Sequence, residues 1–149
     1  MRNSRMSLLG ACVFVFGSVL IAAEFQESVE KDMQLLEGSF TMVSSEKKGE
    51  KATENIVKSA TITNKNGVHS VKVGEDSFGG THKIDPTKKP KEIDSTDTSG
   101  EFKGKTYLGI YKIEKDVWTV CFAPPGKERP KAFSTKSGTG EFIHVWKKK

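Results

Sequence analysis

Three histidines, one strand cysteine and a few charged loops are the groups in this chain whose residue types could do chemistry. His69, His82 and His144 are scattered. None stands in the His-x-His or His-Glu-x-x-His spacing that puts two imidazoles on one metal. A metal site would have to be assembled from separate strands, and the spacing argues against one. His144 lies between Phe142 and Trp146 on one strand face, the position of a core or rim histidine. Cys121 sits in the apolar run Val117-Trp118-Thr119-Val120-Cys121-Phe122, with no local histidine to activate its thiol. An inert, packed cysteine is expected there. The segment from Asp85 to Asp94 is charged and bounded by prolines, but lacks the oxygen spacing of an EF-hand loop. It reads as an Asp-Pro turn leading into a strand. Gly126-Lys127-Glu128-Arg129-Pro130 lacks the spacing of a phosphate-binding loop and reads as a charged turn, with Arg129 free to pair with Glu128 or another carboxylate. There is no Gly-x-Ser-x-Gly elbow and no identifiable pair of carboxylates for acid–base work. The expectation is a non-enzymatic protein with no cofactor and no metal; catalysis would need groups converging from separate strands.

The aromatic residues are more informative. Side chains alternate across a strand, so Phe40 and Met42 share a face, as do Tyr111 and Ile113. Trp118, Val120 and Phe122 share another, and so do Phe142, His144 and Trp146. If these faces point inward, the interior is apolar with a few polar tips. Phe40, Met42, Tyr111, Trp118, Phe122 and Trp146 are then the candidate contacts for a small hydrophobic ligand. A filled core without a cavity is the preferred structural reading, and a ligand pocket is the functional one. The alternative function is a protein-interaction or structural domain acting through its rims and charged loops, with the protein partner unknown.

The elements that must position these faces are mostly strands. Phe25 to Leu36 has Val29, Met33 and Leu36 at helical spacing, and Gly38 punctuates it. Strands are expected at Ser39–Ser45, Ile56–Thr63, Val68–Val73 and Ser77–Ile84, the last with a bend or bulge at Gly79-Gly80. Further strands are expected at Glu92–Thr98, polar and near an edge, and at Lys105–Ile113, Val117–Ala123, Lys131–Ser134 and Glu141–Trp146. Asn64-Lys65-Asn66-Gly67 is a hairpin signal. Eight or nine short strands in sequence, without a crossover helix, predict an all-β, antiparallel up-and-down barrel that closes to remove its edges.

The first 23 residues read as a targeting segment. Arg2 and Arg5 precede an uncharged run from Leu8 to Ala23, and Ile21-Ala22-Ala23 offers a cleavage site before Glu24. The run is shorter than the ~20 apolar residues that span a bilayer, so no transmembrane span is expected after cleavage. Leu9-Gly10-Ala11-Cys12 is the alternative, a lipid-anchoring site, although the apolar run continues well past Cys12. The expected organisation is a signal peptide at 1–23, a helical segment at 24–37 and a barrel at 38–149, exported to the periplasm or secreted. Cleavage removes two of the 24 basic residues and none of the 19 acidic ones, so the formal charge drops from +5 to +3. That mild charge, without a basic stripe, argues against nucleic acid. Cys121 would then be the single thiol, and no internal disulfide could form.

Several spaced motifs add to this reading. Leu36-Glu37-Gly38-Ser39-Phe40-Thr41-Met42-Val43-Ser44 resembles the L-x-G-x-W-x-x-x-S opening of lipocalin-like barrels. The Asp85–Asp94 segment, Gly104-Lys105-Thr106-Tyr107-Leu108-Gly109-Ile110-Tyr111, and Cys121 to Pro130 resemble, in the same order, the lipocalin-like domain expanded in Planctomycetes. That family has no assigned function. The resemblance spans about Leu36 to Trp146 and implies a small calycin-type barrel, often exported, with no activity to transfer. Phe40 replaces the family's usual Trp, so any contact of that indole N–H is lost.

Overall fold

The computed structural model describes residues 16–149. Helix α1 (Phe16–Leu36) is followed by β1 (Gly38–Lys47), a two-residue strand β2 (Glu50–Lys51) and a short helix α2 (Glu54–Ser59). Then come β3 (Ala60–Lys65), β4 (Val68–Val73), β5 (Asp76–Asp85), β6 (Lys91–Asp97), β7 (Thr106–Glu114), β8 (Val117–Phe122) and β9 (Phe142–Lys148). Each strand from β3 onward pairs antiparallel with its sequence neighbour, and β1 pairs with both β3 and β9. Eight strands therefore close an up-and-down barrel, with β2 as an extra strand on β1. Closure leaves no long unpaired edge.

The core follows from strand alternation. Ala60, Ile62 and Asn64 of β3 are buried, with more exposed residues between them. Phe40, Ile84, Ile93, Tyr111, Trp118 and Trp146 complete the lower interior, and Leu36 of α1 is buried with them. The rings of Phe40 and Trp118 meet edge to face, 5.9 Å between centroids, a favoured aromatic geometry. Helix α1 lies across this end. Val29, Met33 and Leu36 pack on the core at the spacing read from the sequence. Asp32 on the same side is buried, and its Oδ2 accepts hydrogen bonds from Tyr111 Oη and Lys91 Nζ, each 2.7 Å. The helix C-terminus is satisfied too: Asn64 Nδ2 donates to Leu36 O and Lys148 Nζ to Leu35 O.

Several expectations need correction. The helix predicted from Phe25 extends back to Phe16, because Leu20, Ala22 and Ala23 are good helix formers. Residues 56–59 are not strand: Ile56 lies in α2, a surface turn of helix with a Glu54–Lys58 ion pair at 2.6 Å. Its two β-branched residues favour a strand locally, but the chain there is crossing between strands. Lys131–Ser134 forms no strand; it belongs to a long loop on the barrel's outer wall. Strand β6 is not at an edge but sits between β5 and β7. It reads as polar because two of its inward-facing residues, Ser95 and Asp97, are polar. Gly79-Gly80 makes no register shift. The shift is in β1, between Met42 and Ser44, where Val43 is pushed outward and exposed. The candidate lipid-anchoring residue Cys12 and the charged start at Arg2 and Arg5 lie outside the described residues.

Candidate functional site

The lower half of the barrel is filled but the upper half is open, which corrects the preferred sequence reading of a filled core without a cavity. A cavity of about 520 Å³ lies inside the strands, at the end away from α1. That volume is in the range of sites that hold small molecules. Its inner surface is mostly apolar, with Trp118, Phe122, Phe142 and Trp146 along β8 and β9 and Met42, Ile62 and Val71 along β1, β3 and β4. The mouth is ringed by Ile56 of α2, Phe78 at the start of β5, Phe102 and Lys105 before β7, and Pro124 and Pro125 after β8.

Of the six residues nominated from sequence, Met42, Trp118, Phe122 and Trp146 line this cavity. Phe40 and Tyr111 do not. Phe40 is packed below Trp118, and Tyr111 points to Asp32 on α1. Both form the floor, because the barrel tapers onto the helix there. The bulge at Val43 has a further effect on β1: Phe40 and Met42 point inward before it, and Ser45 and Lys47 line the cavity after it. One extra residue reverses the alternation.

The wall formed by β4, β5 and β6 is polar. His69 and His82 are buried with their rings stacked, 5.7 Å between centroids, and their Nδ1 atoms 3.5 Å apart. His69 Nε2 is 4.0 Å from Asp97 Oδ1. Gly80 makes this possible. A Cβ there would meet Thr96 O and come within 2.6 Å of His69 Nε2, so only glycine leaves room for the imidazole. Burial lowers the pKa of His69, and it pushes His82 down to about 4, with the charge of His69 adding to the effect. Burial raises that of Asp97. The two rings are therefore uncharged at neutral pH. The protons that suit a carboxylate beside His69 put N–H on His69 Nε2 and on His82 Nδ1, which donates to His69 Nδ1. His82 Nε2 is then a lone pair, and it is buried without a hydrogen-bond partner, as is Trp118 Nε1.

His144 stands apart on β9, between the rings of Phe142 and Trp146, at 5.1 and 5.9 Å. Its partial exposure is to the cavity, and burial followed by the charge of Lys47 pushes its pKa down to about 4. Two of the three histidines thus meet and the third does not; among the described residues no group of three or more His, Cys, Asp or Glu side chains could hold a metal. The pairing had a sequence signal: His69 is two residues from Val71, His82 two from Ile84, and Ser95 and Asp97 follow Ile93 at the same period.

The loops outside the barrel are structural. Asp85 Oδ1 accepts from the Thr87 amide and hydroxyl, closing the Asp-Pro turn. Arg129 pairs with Asp94 at 2.7 Å and Glu92 at 3.3 Å, and donates to the carbonyls of Ile93 and Gly109. It pins the long loop after β8 to β6 and β7 rather than pairing with Glu128. Beneath that loop Cys121 is fully buried and free, its thiol pushed up to about 11 by burial. Among the described residues no helix is long and apolar enough to cross a membrane. Comparison with family models, with curated proteins and with solved structures finds no match to this chain.

Proposed function

We propose that the protein is an exported, non-enzymatic barrel that binds a small, mainly apolar molecule in its open half. The observation that carries this is the cavity of about 520 Å³, which combines an aromatic wall on β8 and β9 with a polar wall on β4 to β6. Burial of apolar ligand surface at ~25 cal/mol per Å² is enough to drive such binding. The two partnerless polar atoms in the walls, His82 Nε2 and Trp118 Nε1, favour a ligand with some polar character over a pure hydrocarbon. Binding without reaction suits the polar cluster, whose histidines direct their Nδ1 atoms at each other.

Export with cleavage after Ala23 belongs to the same proposal. Val19, Leu20 and Ile21 are 64%, 64% and 70% exposed despite being apolar, whereas the helix begins to pack on the core only at Val29. A leader that is later removed needs no such packing. Kinship with the lipocalin-like domains that the loops resemble is also part of the reading, and the sequential closure of the strands supports it.

Native mass spectrometry of the protein purified from its own envelope fraction tests the proposal. A co-purifying small molecule, with a protein mass starting at Glu24, is the expected result. A bare protein that also takes up no apolar probe on titration would overturn the binding reading. A lipid-modified Cys12 would overturn cleavage after Ala23.

A further inference from the structure

The mouth of the cavity carries two ammonium groups without a carboxylate partner. Lys47 ends β1 and is turned inward by the bulge at Val43, so its chain lines the cavity. Its Nζ lies 6.0 Å from the centre of the Phe142 ring. Lys105 enters the rim just before β7, with its Nζ 5.1 Å from the centre of Phe102. Three other lysines of the barrel are paired, Lys91 with Asp32, Lys112 with Glu114 and Lys147 with Asp116; Lys65, Lys72 and Lys83 are not, but they do not line the cavity, as Lys47 and Lys105 do. Among the described residues, no carboxylate lies within ion-pair distance of Lys47 or Lys105.

Acidic groups near the cavity are placed differently. Asp97 is in the wall, 9% exposed and facing His69. Glu46 bonds outward to Thr135, and Glu101 does not line the cavity. The lining between the floor and the two lysines is mostly apolar apart from the wall of β4 to β6.

We infer that the ligand is an anionic amphipath, an apolar body carrying one carboxylate, sulfate or phosphate, bound with its charged end at the mouth between Lys47 and Lys105. This rests on the binding reading above. The tail replaces water against the aromatic wall, while the head stays near solvent, where two cations and the edge of the rim meet it. Such placement avoids the cost of burying a charge.

Calorimetric titration of the purified protein with decanoate, decanol and decyltrimethylammonium, which share one tail, tests this. At low ionic strength decanoate should bind about tenfold more tightly than decanol, and the cation most weakly. The margin should shrink in salt, since the lysines are exposed. Lys47→Met and Lys105→Met should each narrow the margin of decanoate over decanol, with the melting temperature unchanged. Equal affinity for decanoate and decanol would overturn the anionic head group and leave the binding reading intact. Tightest binding of the cation would overturn it in favour of recognition by Asp97. Binding of none of the three would remove the binding reading and this inference together.

Discussion

The two ends of the barrel are built from the same strands, yet one is locked and the other is open. At the α1 end a buried carboxylate, Asp32, ties the helix to Tyr111 and Lys91, and Asn64 and Lys148 hold the last carbonyls of the helix. Apolar side chains of the helix fill what would otherwise be a second opening. Among the described residues no element crosses the opposite end. Helix α2 and the turn around Phe102 stand at the rim, leaving Ile56, Phe78 and Phe102 well exposed. In the proposed reading, stability and binding are therefore separated along the barrel axis. The floor is over-determined by packing and hydrogen bonds, while the mouth keeps exposed apolar surface.

Trp118 lies at the boundary between the two ends, 4% exposed, touching Phe40 below and the cavity above. Trp118→Ala should have the largest effect, a loss of about 3–5 kcal/mol in denaturant unfolding together with weaker binding of any apolar probe. An unchanged midpoint would mean the filled floor does not depend on this ring and would dissolve the distinction between the ends.

Acid should weaken the protein through its buried histidines. Histidines ordinarily titrate near 6.5, and His82 and His144 are held neutral down to about 4. As pH falls through 6.5 the unfolded chain takes up protons that the folded chain refuses, so stability is lost between pH 6.5 and 4 and is complete above that window. For His82 alone the loss is on the order of 3 kcal/mol, at ~1.4 kcal/mol per pKa unit. The nearby Glu37 works against this by favouring the charged ring, and Asp97, raised by burial, has the opposite slope. Thermal melts across this range should fall steeply, and less steeply in His82→Gln. A flat profile would show that these rings meet water.

The lock at the closed end is next in size. Tyr111→Phe removes one hydrogen bond to a buried carboxylate and should cost roughly 2 kcal/mol while leaving probe affinity unchanged. Loss of binding without loss of stability would place Tyr111 in the site after all. Smallest is Phe102→Ser at the mouth, where a change within ~0.5 kcal/mol is expected on unfolding. Its effect should appear in the rates of probe entry and release; a large loss of stability there would mean that the rim, like the floor, is packed.

Much of this was legible in the sequence. The closed β architecture was, because inward apolar residues at period two, the Asn66-Gly67 turn and the absence of a crossover helix all agree. So was the packed face of α1, since Val29, Met33 and Leu36 keep helical spacing. Four of the six nominated aromatic and Met positions line the cavity, because alternation alone assigns a face. Height along the barrel is another matter. Phe40 and Tyr111 share the inward face but sit at the floor, which depends on strand tilt and on where the helix docks.

The sequence by itself determined which residues alternate, where the chain turns and which helix face is apolar, since these are local properties of spacing and backbone preference. Only the tertiary structure decided that Gly80 seats His69 beside His82, that the bulge at Val43 turns Lys47 inward, and that Arg129 reaches across to Asp94. Each of these joins residues on different strands, and no local pattern encodes the register that brings them together.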